Sequence, residues 1–424
     1  MAVLAIAACD PENEVKVKNP IQISSPTPTR QITKVTLNET QQGYVAAGNA
    51  MSFRFLKEMY SGESLILSPL SLQYALAMTA NGASDETLQE IIDFLGYGTE
   101  GIDALNEYCR ILLEQLPAVD LDVDLKVTDA LLVNDEFKLL QSFQKTVQDN
   151  YYAVVDNMDF SDAAQVAARI NDWAKRNTNG FIDKILDASE LSPFAAAYLM
   201  NALYFKAKWE GSTYHNMFDE GKTKDEKFTM SDGSTKTVKM MWTADNYGYS
   251  HKDGFKVLAL PYAGGKFAMY FLLPDENDLA GLLEKLQSYS WQDIVDNLGY
   301  GREVHVKLPR FEIENKFELS DCLKALGVKR AFEDGNAQFD RMFEPKVGIT
   351  GYHIEKVWQK ARINVAEWGT EAAAVTVVEM YPESSGMPGE EPKISYFYAD
   401  HPFAFILAER TSGTILFEGT FTGK

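Results

Sequence analysis

The sequence predicts an α+β fold, and three observations carry that prediction. Helix-like patterns crowd the first half of the chain, strand-like patterns dominate after residue 195, and the two do not alternate as βαβ units would. Taken in order, Val45, Phe53, Phe55, Leu56 and Met59 form an amphipathic stripe. Ser68-Pro69 then starts a helix running to Met78, with proline in the first turn where its missing N–H costs nothing. Ser84-Asp85-Glu86-Thr87 opens a further helix that stops at Gly96, and residues 163–176 form another carrying Trp173. Beyond 195 the runs AAAYLMNALYFKAKW, KVLALPY, KFAMYFLLP, VHVKLP and FAFILAER read as strands, punctuated by Pro and Gly. No internal repeat is visible. The body is expected to run from about residue 41 to the C-terminus without a second linker.

Composition excludes several function classes. Among 424 residues there are 40 Lys or Arg and 61 Asp or Glu, a formal charge of −21. A phosphate or sulfate backbone wants a basic face, so neither nucleic acid nor a glycosaminoglycan is expected as a partner. With 46% hydrophobic residues the chain can bury a large core. Three cysteines, at 9, 109 and 322, make no disulfide framework and match no zinc spacing, and five scattered histidines leave little for a metal site. No metal or cofactor is expected. Gly96-Tyr97-Gly98-Thr99-Glu100-Gly101 spells GxGxxG, but it follows a helix-like run and reads as a helix cap and loop. There is no GxxxxGK[ST], HExxH or GxSxG, so the sequence carries no enzyme signature. The sequon Asn38-Glu39-Thr40 falls within the stretch read as a tether.

The N-terminus carries an anchoring signal. Ile6-Ala7-Ala8-Cys9 resembles the lipobox of bacterial lipoproteins, in which the cysteine is diacylated, although nothing basic precedes it as a signal peptide would require. The other reading is an incidental cysteine in an apolar N-terminus. Residues 10–40 hold Pro11, Pro20, Pro26 and Pro28 and the run SSPTPT, the composition of an extended linker. Residues 1–40 are therefore read as a truncated signal with lipobox followed by a tether. The expected location is the cell envelope or outer surface through a lipidated Cys9, with secretion as the alternative.

One segment near the C-terminus is odd. Residues 369–393 read GTEAAAVTVVEMYPESSGMPGEEPK: strand-forming with small side chains at first, then rich in Pro, Gly, Ser and Glu like an exposed loop. In period-2 register Thr370, Ala372, Ala374, Thr376, Val378 and Met380 share an uncharged face, while Glu371 and Glu379 lie on the other. An ordinary edge strand with a long hairpin loop would read similarly. A sticky, low-charge strand joined to a protease-accessible loop is nevertheless unusual.

From about residue 41 to 424 the chain resembles the serpins. Glu367-Trp368-Gly369-Thr370-Glu371-Ala372-Ala373-Ala374 looks like the proximal hinge of inhibitory members. Asp400-His401-Pro402-Phe403-Ala404-Phe405-Ile406-Leu407, followed by Ile415-Leu416-Phe417-Glu418-Gly419, looks like the C-terminal signature. The run from Asn201 to Trp209 resembles the central-sheet strand ending at the breach tryptophan, and Leu67-Ser68-Pro69-Leu70-Ser71 the start of the buried helix. Pro309-Arg310-Phe311 and Leu326-Gly327-Val328 with Ala331-Phe332 also fit. The resemblance implies helices around a large central sheet, two smaller sheets and an exposed reactive-centre loop over about 369–393. It also implies a shutter of Ser68, Ser71 and Asn201, with Gln359 where the family carries histidine. Glutamine can donate and accept but does not titrate.

The same resemblance implies a protease inhibitor rather than an enzyme. The loop is bait, the target forms an acyl-enzyme, and the cleaved loop enters the sheet before water hydrolyses the ester. Partners are then a target protease, held covalently by a monomeric inhibitor. The family's hinge-to-bond spacing puts the reactive bond at Glu383-Ser384, with Met380-Tyr381 as runner-up. Thr370 to Glu383 would span roughly 46 Å as a strand. The alternative is a non-inhibitory carrier or structural member, against which the small Ala372 to Ala374 argue.

Overall fold

The structure, a computed structural model, describes residues 26, 28–98, 101–211, 216–349, 351–370 and 394–424. Helices dominate the first part: α1 (Glu39–Met59), α2 (Pro69–Ala80), α3 (Asp85–Leu95), α4 (Ile102–Gln115), α5 (Gln141–Tyr151) and α6 (Ala163–Asn177). Three short ones follow: α7 (Leu279–Leu286), α8 (Trp291–Asp296) and α9 (Ser320–Ala325). The predicted starts hold for local reasons. Ser68 accepts from the Ser71 N–H with Pro69 behind it, and Gly96 closes α3 in the left-handed region at φ +73°. Within the GxGxxG run Gly96 is thus a helix end and Gly101 precedes α4, while Thr99 and Glu100 lie outside the described residues.

A six-stranded sheet orders β11 (Phe311–Glu318), β12 (Trp358–Ala366), β13 (Gly369–Thr370), β4 (Ala197–Lys208), β2 (Asp124–Asn134) and β3 (Val154–Met158). A second six-stranded sheet orders β1 (Leu65–Leu67), β16 (Ile415–Phe421), β15 (Phe403–Glu409), β9 (Phe267–Pro274), β8 (Phe255–Pro261) and β7 (Gly248–Lys252). A four-stranded sheet orders β14 (Ile394–Tyr398), β10 (Glu303–Pro309), β6 (Thr235–Asp245) and β5 (Lys224–Thr229). The α+β expectation holds. The helical half nevertheless contributes β1, β2 and β3, so the first sheet mixes strands from both ends of the chain.

The main core lies between the two six-stranded sheets. It joins Leu203, Phe205 and Ala207 of β4 and Ala361, Ile363 and Val365 of β12 to β9, β15 and β16. Helix α2 is buried almost all round within it, as an apolar helix without a polar face must be. On the opposite face of the first sheet α6 sets Val166, Ile170 and Trp173 against Ala130, Leu132, Met200 and Ala202. Alternate residues of β2 and β4 therefore serve two cores, which explains the nearly continuous burial of β2 and the buried run Ala202 to Phe205 in β4.

The chain joins this body earlier than residue 41. The Ile32 N–H donates to the Ala118 carbonyl at 2.9 Å, and Val35 is buried. Asn38 caps α1 in a capping box with Gln41, so the sequon belongs to a helix start rather than to a tether. Cys9 lies outside the described residues. Cys109 and Cys322 are free and buried. No described helix is long and apolar enough to cross a membrane.

Candidate functional site

The predicted hinge enters the six-stranded sheet. Gly369 and Thr370 form β13 between two antiparallel neighbours: Thr370 pairs with Val365 of β12 and Ala207 of β4, and Gly369 with Ala366 and Lys208. Among the described residues β12 and β4 share no ladder of their own; β13 alone stands between them. Below Thr370 a narrow cleft continues between the two strands, walled by Leu203, Phe205, Arg362 and Ile363 and floored by Leu407 and Phe417. At Thr370 the walls of this slot stand one strand apart.

Its mouth is fixed chemically. Gly369 sits at φ +152°, and a Cβ there would lie 2.1 Å from the Ala207 carbonyl oxygen, so only glycine lets the chain turn in this close. Thr370 is buried, its hydroxyl 2.5 Å from the Tyr262 hydroxyl. Tyr262 stacks on Trp209 with ring centroids 4.6 Å apart, and the Trp209 indole donates to the Ala366 carbonyl at 2.8 Å. The predicted breach tryptophan thus holds the end of β12 beside the hinge.

Glu367 is buried at the same mouth and accepts from Arg310 and from the Thr223 hydroxyl, each at 2.5 Å. Burial opposes its charge, but those two hydrogen bonds and the guanidinium outweigh it and hold the carboxyl below the usual glutamate range. The Arg310 of the Pro309-Arg310-Phe311 run is thereby the counter-charge of the hinge, a role the sequence reading did not assign.

The shutter residues come together only in part. The Ser68 hydroxyl donates to the Leu416 carbonyl at 3.0 Å, and Ser71 is its capping partner. Gln359 binds the backbone of Ser68 twice, accepting from its N–H at 3.0 Å and donating to its carbonyl at 2.8 Å. Glutamine therefore links β12 to the helix start without a proton to lose. Asn201 turns the other way: its Nδ2 donates at 2.8 Å to Asp129 on β2, its cross-strand neighbour. Asp129 was missed. The available signal was a lone aspartate inside the apolar run KVTDALLV, where a strand buried on both faces has no place for a solvated carboxylate.

Glu371, Ala372, Ala373 and Ala374 of the hinge, and Met380, Tyr381, Glu383 and Ser384 at the two candidate bonds, lie outside the described residues. A larger surface cleft lined by Lys222, Trp242, Tyr247, Tyr300 and Arg410 shares no lining residue with the slot, and none of the predicted site residues lines it. Among the described residues no His, Cys, Asp and Glu cluster could hold a metal ion.

The comparisons agree with this geometry. The family model described as Serpin (serine protease inhibitor) matches residues 46–423. Serpin-ZX of Arabidopsis thaliana is 31% identical over 393 residues, covering 88% of this chain and 97% of its own. The native-state crystal structure of tengpin, a thermophilic serpin, superposes with a TM-score of 0.79 at 27% identity, covering 94% of this chain and 97% of that one. Human thyroxine-binding globulin complexed with thyroxine superposes at 0.76 with 25% identity, covering 90% and 98%. Sheet order, the glycine-gated slot and a match along nearly the whole body converge on one statement: this chain is a member of the serpin family and has the serpin fold.

Proposed function

We propose that the protein inhibits a target protease as a suicide substrate, its cleaved loop entering the slot between β4 and β12. The observation that carries this reading is β13, a two-residue strand already in register with both walls. Counted from the Thr370 pairing, Asn201 and Gln359 each stand six residues further along their walls, so a strand continuing in that register would reach the two shutter residues together. A continuing strand would gain ladder bonds on both sides, each worth about 1 kcal/mol net, and on the order of 10 kcal/mol in all. Such a gain makes the intact form a kinetically held state.

Glu383-Ser384 is the proposed reactive bond, with Met380-Tyr381 second. Glutamate in the bait position favours a protease with a basic or polar primary pocket. We place the protein as a monomer at a cell envelope, anchored through an acylated Cys9, or secreted. The carrier reading draws on the thyroxine-binding relative. Against it stand the small residues Ala372 to Ala374, which suit insertion.

Incubation with a protease panel tests the proposal. Inhibition predicts a complex that survives SDS, with the mass of the protease plus the serpin lacking its C-terminal fragment. Cleavage without any such complex across the panel favours the carrier.

A further inference from the structure

Asp129 and Asn201 face one another at the centre of the six-stranded sheet. The Asp129 side chain is 1% exposed, and its Oδ1 accepts from Asn201 Nδ2 at 2.8 Å. Two atoms of this pair, Asp129 Oδ2 and Asn201 Oδ1, are buried and take no hydrogen bond from the protein. Both are acceptors. A carboxylate has nothing to donate, so an ionised Asp129 leaves a buried charge and an orphaned carbonyl side by side. A single solvent proton on Oδ2 changes the count. A carboxylic acid and a primary amide can close two antiparallel hydrogen bonds, N–H to O and O–H to O, and the one proton then satisfies both orphans.

The surroundings favour the neutral form. The titratable groups that feel Asp129 are Tyr74 of α2, Cys109 of α4 and Tyr151 of α5, each pushed up chiefly by burial and so uncharged near neutrality. Asn201 faces it from β4, and the Gln359 amide of β12 is committed to the Ser68 backbone. No cation is among these groups. Burial raises the Asp129 carboxyl to about 7, against the Asn201 hydrogen bond that lowers it.

We infer that Asp129 is a positioning residue for the slot: as a neutral acid it holds the Asn201 amide by both its oxygen and its nitrogen, and on ionising it keeps only the nitrogen. Asn201 forms one wall at the shutter, so the Asp129 proton decides whether that amide is fully committed to β2 or presents a free acceptor beside the slot. This clasp belongs to the intact protein and stands whether or not the chain inhibits a protease.

The sign follows from linkage. The folded carboxyl is raised, so the native state keeps a proton that the unfolded chain has lost, and stability falls as pH rises towards about 7. The test uses intact full-length protein without protease, at fixed scan rate. Wild type should lose roughly 3 °C of melting temperature between about pH 5 and about pH 8 beyond any change in Asp129→Asn. Asp129→Asn should be flat by comparison and as stable as wild type on the acid side, because a second amide donates and accepts without titrating. Difference infrared spectra should show a protonated carboxyl band lost across neutrality in wild type and weakened in Asp129→Asn by the Asp129 share. Glu418 is also fully buried with a raised carboxyl, so the band is recorded in Glu418→Gln as well, which serves if Asp129→Asn fails to fold. The same melting step in Asp129→Asn, or no such band in Glu418→Gln, overturns the inference.

Discussion

Placing a glutamate at position 374 should convert the protein from inhibitor to substrate, whereas the same change at 373 should spare inhibition. The register of β13 supplies the reason. Continued from Thr370, position 374 falls between Leu203 and Ala361, which are 7% and 3% exposed and belong to the main core. Position 373 falls between Tyr204 and Arg362 on the opposite face, where a carboxylate would meet the Arg362 guanidinium. Burying an unpaired carboxylate costs several kcal/mol even after relaxation. If about 4 kcal/mol of that appears in the insertion barrier, insertion slows about a thousandfold, at ~1.4 kcal/mol per tenfold. Inhibition is a race between insertion and deacylation, so such a loss lets the protease escape. The assay is the stoichiometry of inhibition for Ala374→Glu and Ala373→Glu against one enzyme. A stoichiometry that rises many-fold for the first and stays near wild type for the second is the expected result. Equal effects would refute the register, and with it the slot as the destination of the loop.

Gly369→Ala should lower the melting temperature of the intact protein, because its methyl must displace the Ala207 carbonyl in a backbone conformation costing about 1–3 kcal/mol for any other residue; an unchanged melt contradicts the glycine gate. Glu367→Gln should flatten the acid limb of stability. The Glu367 carboxyl is held low, so its contribution is present above the ordinary glutamate range and lost as pH falls through its folded value, which melting curves of both proteins would show. Glu383→Arg should recruit trypsin-like proteases, and mass spectrometry of the released C-terminal fragment should find Ser384 at its start; a fragment beginning at Tyr381 moves the reactive bond to Met380.

Much of this was legible in the sequence because it rests on local chemistry. Ser68-Pro69 and Gly96 announce helix ends through capping, and the apolar runs of β4, β8, β9, β10 and β15 announce buried strands. Position in the fold was harder to read. β2 lies inside the large sheet between β4 and the edge strand β3, yet DLKVTDALLVN sits among helices and alternates poorly because both its faces are covered. The hinge was visible as a strange composition, and its glycine was read as part of a motif. That Gly369 is pressed against the β4 backbone is a long-range contact no spacing reveals. The partners of the site residues were the least accessible. Arg310 reaches Glu367 across 57 positions and Asp129 meets Asn201 across 72, so nothing local marks either pair.

Hydrogen exchange of the two slot walls, before and after the loop is cut, tests the central claim most directly. The account predicts that the alternate backbone amides facing the slot in β4 from Leu199 to Lys206 and in β12 from Gln359 to Asn364 become much more protected on cleavage, because a new strand then pairs with both walls. The intervening amides are already laddered to β2 and β11. β2, already laddered to β4 from Asp124 to Val133, should change little and serves as the internal reference. Unchanged exchange along β4 and β12 after complete cleavage at the loop would mean that nothing enters the slot, and the insertion mechanism would be wrong.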